Sequence, residues 1–100
     1  MGKIIYVDID ETICYYQGER NYNLAIPYKE RIKKINKLYD EGNRIHYWTA
    51  RGTGTGEYWL GKTKAQLDSW GCKYHGILIN KPVYDLFIDD KNINSNDFFK

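Results

Sequence analysis

Residues 3–12 read KIIYVDIDET. A run of β-forming residues ends in two carboxylates, Asp8 and Asp10, two positions apart. On a strand, residues i and i+2 point to the same face, so these like charges would crowd each other unless something positive lies between them. Lys3 to Asp8 reads as a buried strand whose carboxyl end carries the acidic pair.

Working outward, strands and helices alternate. Pro27 suits the first turn of a helix running to about Glu41, with Tyr28, Ile32, Ile35, Leu38 and Tyr39 on one stripe and Gly42 ending it. RIHYWTA, residues 44–50, reads as a second strand. Glu57 to Trp70 reads as a second helix, whose Trp59, Leu60, Thr63, Leu67 and Trp70 share a face before Gly71; the tryptophans are most simply core. GILIN (residues 76–80) and DLFIDD (residues 85–90) supply two more short strands. The pattern predicts an α/β fold, a mainly parallel sheet flanked by helices, in one domain spanning residues 1–100. One connection is short. About five residues, Asn80 to Tyr84, separate the last two strands, whereas a parallel crossover takes a dozen or more. Either the loop runs across the strand edges, or one segment is irregular or antiparallel.

Composition allows one core and no more. A chain of 100 residues buries roughly 60–70% of its unfolded surface. Hydrophobic residues at 42% and aromatics at 16% exclude disorder, while a net charge of +2 is too small to mark a nucleic-acid partner. KIIYV is too short, and too soon interrupted by Asp8, for a signal peptide or membrane span, and Tyr6 spoils a myristoylation pattern at Gly2. A cytoplasmic protein with no membrane partner is expected. Cys14 and Cys72 lie far apart without CxxC spacing and read as reduced structural thiols. His46 and His75 read as structural. Lys29, Arg31, Lys33, Lys34 and Lys37 read as a solvated helix face. GEYWLGKT, residues 56–63, fits the phosphate-cradling P-loop letter for letter, but no strand runs directly into it, and Tyr58, Trp59 and Leu60 suit a helix face. The preceding GTGTG reads as a mobile loop near the site.

Ligands of such sheets collect outside the carboxyl ends of the strands. There lie Asp8, Asp10 and Thr12 after the first strand, Thr49 and Arg51 at the second, Lys81 after the third, and Asp89 and Asp90 after the fourth. This ordered set resembles the haloacid dehalogenase-like phosphatase superfamily. The likeness spans nearly the whole chain: the DxDxT signature at residues 8–12, a hydrophobic strand ending in Thr49, Lys81, and the acidic pair Asp89-Asp90. YWTARG, WGCKYHGILINKP and DLFIDDKNINSNDFF look more narrowly like small phosphatases of capsule and polysaccharide biosynthesis. Glu11 departs from the glycine many members carry at that position.

The resemblance implies a three-layer Rossmann-like core and a mechanism. Asp8 is then metal ligand and nucleophile, forming an aspartyl-phosphate, and Asp10 gives its backbone carbonyl to Mg²⁺ while its side chain serves as general acid, then base. Thr49 donates to the phosphoryl group, Lys81 neutralises its charge, Asp89 or Asp90 holds the metal, and Thr12 and Arg51 contact substrate. In this reading the metal lets the carboxylates coexist. Relatives insert a cap domain that neither gap here has room for. Residues 13–26 allow a small flap rich in Tyr15, Tyr16 and Tyr22. The site is therefore expected to be open, to accept a bulky substrate or be covered by another subunit of a homo-oligomer. The expected activity is Mg²⁺-dependent hydrolysis of a small phosphorylated substrate, a sugar phosphate or glycan precursor. A polynucleotide 3′-phosphatase and a non-catalytic phospho-accepting or scaffold module are the alternatives. Asp10 separates the last, since a module that stores an aspartyl-phosphate needs no acid two residues along.

Overall fold

The computed structural model describes residues 2–53 and 59–100. In chain order the elements are β1 (Ile4–Val7), β2 (Cys14–Tyr15), β3 (Ile26–Pro27), α1 (Lys29–Asp40), β4 (Arg44–Trp48), α2 (Leu60–Ser69), β5 (Gly76–Leu78) and α3 (Ser95–Phe98), with a 3₁₀ turn over Tyr22–Leu24. The order β1-β4-β5 makes a parallel three-stranded sheet, with Val7 opposite Tyr47 and Tyr47 opposite Ile77. β2 and β3 pair antiparallel, Cys14 with Pro27 and Tyr15 with Ile26, so the expected flap has a two-stranded base.

Alternation along the strands places the core. Val7, Ile45 and Tyr47 point to one face and are buried with Ile9, Ile13 and Cys14, with Ile32 and Ile35 of α1, and with Leu67 of α2. α3 packs on α1: Lys34 Nζ donates to the Phe98 carbonyl at 2.9 Å, and the Arg31 guanidinium donates to Asn96 Oδ1 at 2.9 Å while lying over the Phe99 ring. Arg31 and Lys34 are thus tied down, whereas Lys29, Lys33 and Lys37 are exposed as expected. The other sheet face carries Ile4 and Tyr6, which are 67% and 55% exposed, and half-buried His46 and Trp48. β1 is therefore covered on one face, and the described residues form two layers where three were expected.

Helix ends follow their glycines. Gly42 and Gly71 take φ +98° and +75°, the left-handed conformation that stops a helix at little steric cost. Pro27 sits in β3 instead of the first turn of α1, and Tyr28 occupies the N-cap. The expected start of the second helix at Glu57, most of the GTGTG loop and the front of the P-loop match fall on residues 54–58, outside the described residues. Gly61, Lys62 and Thr63 lie inside α2, which is no anion-binding loop. Trp48, Trp59 and Trp70 are half-buried at the core's margins, not within it.

The strand expected over residues 85–90 is absent. Residues 82–94 carry no helix or strand, and Leu86 and Ile88 are 74% and 87% exposed. The short link after β5 is the physical reason: it cannot carry the chain back along the sheet to begin another parallel strand.

Asn80 takes φ +66°, turning the chain so that the Lys81 amide donates to the Thr49 carbonyl at 3.1 Å. Asparagine tolerates this region, whereas a β-branched residue does not. Asn80→Val is expected to lower stability in urea unfolding by about 1–2 kcal/mol, with Asn80→Gly close to neutral. Equal losses for the two variants would contradict a conformational cause.

Candidate active site

Beyond Val7 the chain turns sharply, the amides of Thr12 and Ile13 both donating to the Ile9 carbonyl at 3.1 and 2.9 Å. Glu11 holds the left-handed conformation, φ +62°, which explains why glycine suits this position. The turn sends Cys14 and Tyr16 back over Asp10. Tyr16 Oη donates a short hydrogen bond to Asp10 Oδ1, and Cys14 Sγ donates to the same oxygen at 3.5 Å.

From the opposite side comes Arg51. Thr49 Oγ1 accepts the Arg51 amide at 3.0 Å, a local side-chain turn that bends the chain just past β4. The guanidinium then meets Asp10 edge to edge, Nε to Oδ2 at 3.0 Å and Nη2 to Oδ1 at 2.8 Å. Its Nη1 donates to Gln66 Oε1 at 2.8 Å and Thr63 Oγ1 at 3.4 Å, and the Tyr22 ring covers it at 4.7 Å. Arg51 is 3% exposed and its donors are taken up within the protein. Sequence reasoning made it a substrate contact or a solvated loop cation; its burial excludes the solvated cation.

Burial by itself would raise the Asp10 carboxyl, but the hydrogen bonds and charge of Arg51, with Tyr16 and Cys14, outweigh burial and hold it below the ordinary value of 3.8. The cost falls on the neighbours: burial and the adjacent carboxylate push the Cys14 thiol up to about 12 and the Tyr16 phenol upward as well. Cys14 and Cys72 are both buried and unpaired, as expected.

Asp8 has a separate environment. Its side chain is 38% exposed, and Lys81 Nζ approaches Oδ2 at 3.6 Å, an ion pair longer than a hydrogen bond. Burial raises the Asp8 carboxyl and the Lys81 charge opposes that shift. Each carboxylate of the opening sequence thus has its own cation, Lys81 for Asp8 and Arg51 for Asp10. Thr49 is buried with its hydroxyl accepting from Arg51, which leaves the hydroxyl proton to donate. Thr12 lies in the turn, its carbonyl accepting from Arg31 at 3.0 Å.

Asp8, Asp10, Thr49, Arg51 and Lys81 are therefore brought together at one end of the sheet. Asp89 and Asp90 are exposed in the irregular segment, and among the described residues no three His, Cys, Asp or Glu side chains gather as a metal site. Arg51 takes the Asp10 side chain, not its backbone carbonyl, so one chain offers the Asp8 carboxylate and that carbonyl but does not bring up the third ligand expected from Asp89 or Asp90. Three partners went unseen in sequence: Tyr16, Thr63 and Gln66. The last two stand three apart on α2, and a polar Gln66 beside buried Thr63 and Leu67 was the available signal. Gln66 also donates to the Tyr22 carbonyl at 2.8 Å, fastening the flap to α2.

Removing one member of a buried ion pair strands the other. Arg51→Met is expected to cost about 3–5 kcal/mol at pH 7 in urea unfolding; a loss under about 1 kcal/mol would contradict the pairing. Because the folded-state value of Asp10 is depressed, its contribution is full above 3.8 and is lost as pH falls through the lower folded value. The wild type should therefore lose this part of its stability below pH 3.8, and the variant should lack that loss.

No family model and no curated protein matches the chain. Among solved structures, a structural-genomics target from Vibrio cholerae is similar, with a TM-score of 0.82 and 26% identity over 99% of this chain and 88% of that one. Nearly the whole chain thus shares its fold with that protein; the described residues of this chain form a small α/β structure with a parallel three-stranded sheet and three α-helices. Among the described residues no helix is long and apolar enough to cross a membrane.

Proposed function

We propose that the protein hydrolyses phosphomonoesters at the carboxyl end of β1 in the manner of the haloacid dehalogenase-like phosphatases it resembles, with Asp8 as nucleophile. The observation that carries the reading is the unequal treatment of the two aspartates. Asp8 is half open to solvent beside a lysine, and Asp10, two residues on, is locked in place by Arg51.

In this mechanism an Asp8 oxygen attacks phosphorus, and the bond from phosphorus to the leaving oxygen breaks. Lys81 neutralises the phosphoryl charge and the Thr49 hydroxyl donates to it. The leaving alkoxide takes its proton from solvent at the open site. A water molecule then attacks phosphorus, the bond to Asp8 breaks, and Asp10 accepts the water's proton. An Asp10 held ionised by Arg51 suits this second role and opposes the first, so the account moves Asp10 from general acid to base. Mg²⁺ would supply further charge neutralisation if bound beside Asp8, though the described residues of one chain do not complete its site. The substrate class, a phosphorylated sugar or glycan precursor, rests on the resemblance of residues 47–52, 70–82 and 85–99.

Asp8→Asn is expected to keep the fold and abolish turnover of phosphate monoesters, because an amide is a poor nucleophile. Asp10→Asn is expected to release one equivalent of phenol rapidly from an aryl phosphate, then turn over roughly 10² to 10⁴-fold more slowly, with phosphoenzyme accumulating on rapid quenching. Turnover persisting in Asp8→Asn would point to direct attack by water and overturn the covalent route.

A further inference from the structure

Among the described residues β1 sits at the end of the sheet with one edge unpaired, and its outer residues Ile4 and Tyr6 are exposed. The same chain carries a β-forming stretch, Leu86-Phe87-Ile88, that is also exposed and without secondary structure. An open strand edge and an apolar segment of this kind are each a liability that proteins ordinarily cover.

The chain cannot join the two in parallel by itself. Lys81 is pinned to Thr49 at the carboxyl end of β4. For residues 85–88 to run beside β1 with Asp89 level with Asp8, Asp85 must begin opposite Ile4. That point lies two strand spacings across and about five residues down the sheet, roughly 19 Å away in a straight line. The four residues from Lys81 to Asp85 span at most about 14 Å. An antiparallel run down the same edge is within reach, but it would carry Asp89 and Asp90 to the wrong end of the sheet.

We infer that residues 82–94 form an arm exchanged between two copies of this chain, residues 85–88 of each adding in parallel to the free edge of the other's β1. In that register Leu86 and Ile88 fall beside Ile5 and Val7 on the core face, and Phe87 falls beside Tyr6 on the open face. The hydrophobic pattern of the arm thus matches the faces it would meet. Asp89 arrives next to Asp8 of the other copy, bringing in the carboxylates that a single chain fails to gather. The exchange is reciprocal, so a twofold pair satisfies both arms. Exposure and reach make the segment and the edge available to each other; the parallel register, which sets aside an antiparallel run within one chain, and the role of the delivered aspartates rest on the phosphatase reading above.

Three measurements test this. Light scattering should give wild-type protein a mass at least twice the 11.9 kDa of one chain, and Leu86→Asp combined with Ile88→Asp, both exposed in the single chain, should give a folded monomer by circular dichroism. A wild-type monomer at micromolar concentration, or an assembly indifferent to the two substitutions, would overturn the exchange. Tyr6→Cys combined with Phe87→Cys should oxidise to a covalent dimer on a non-reducing gel. A crosslink within one chain, or none, would also overturn it. Finally, Asp8→Asn chains and chains carrying both Asp89→Asn and Asp90→Asn, unfolded together and refolded, should regain up to about a quarter of wild-type activity from mixed pairs, although each alone is inactive. Active wild type without such complementation would refute the delivery of the acidic pair. Inactive wild type that still crosslinks between chains would refute the phosphatase reading and leave the exchange standing.

Discussion

A guanidinium sealed from water beside a carboxylate is costly unless the donors of one and the lone pairs of the other are satisfied. Around Arg51 and Asp10 they are, and that requirement draws four parts of the chain to one point. The turn after β1 presents Asp10, the turn after β4 presents Arg51, α2 contributes Thr63 and Gln66, and the flap contributes Tyr16 and Tyr22. No other polar cluster among the described residues ties the sheet, a helix and the flap together in this way. The flap in particular has a base of only two paired residues on each strand, and its hold on Arg51 and Gln66 is what fixes it over the sheet.

The same constraint divides the two aspartates. With Asp10 committed to Arg51, Asp8 is left partly exposed, with a lysine nearby but not in hydrogen-bond contact. Under the proposed phosphatase reading, Asp8 is thereby accessible to a substrate and the orientation of the residue that would move a proton is fixed. Two like charges on one strand end are thereby each compensated by a cation from a different loop. Lys81 reaches its place only because Asn80 accepts a left-handed conformation, and Arg51 only because Thr49 caps its amide.

Much of this was legible in the residues. Runs of β-forming residues marked β1, β4 and β5 to within two residues, and Gly42 and Gly71 marked the two long helix ends because φ above zero excludes most other residues. Asp8, Asp10, Thr49 and Lys81 were found from their places after strands. Arg51 was found, but its partners Asp10, Thr63 and Gln66 were not, because sequence spacing says nothing about what a long side chain meets once α2 folds over it. The strand at residues 85–90 failed for another reason. Its β-forming composition is real, but a strand needs a neighbour within reach, and five intervening residues deny it a parallel one inside its own chain. The warning was in the loop length, while the composition pointed the other way.

The central claim is that Arg51 keeps Asp10 ionised and so makes it a base and not an acid. Following the Asp10 side-chain carboxyl carbon by NMR as pH is varied tests this most directly. The account predicts a single titration below the ordinary value of 3.8, with the Asp8 carboxyl titrating above it. An Asp10 that instead titrates above 3.8, in the range of a buried general acid, would contradict the account.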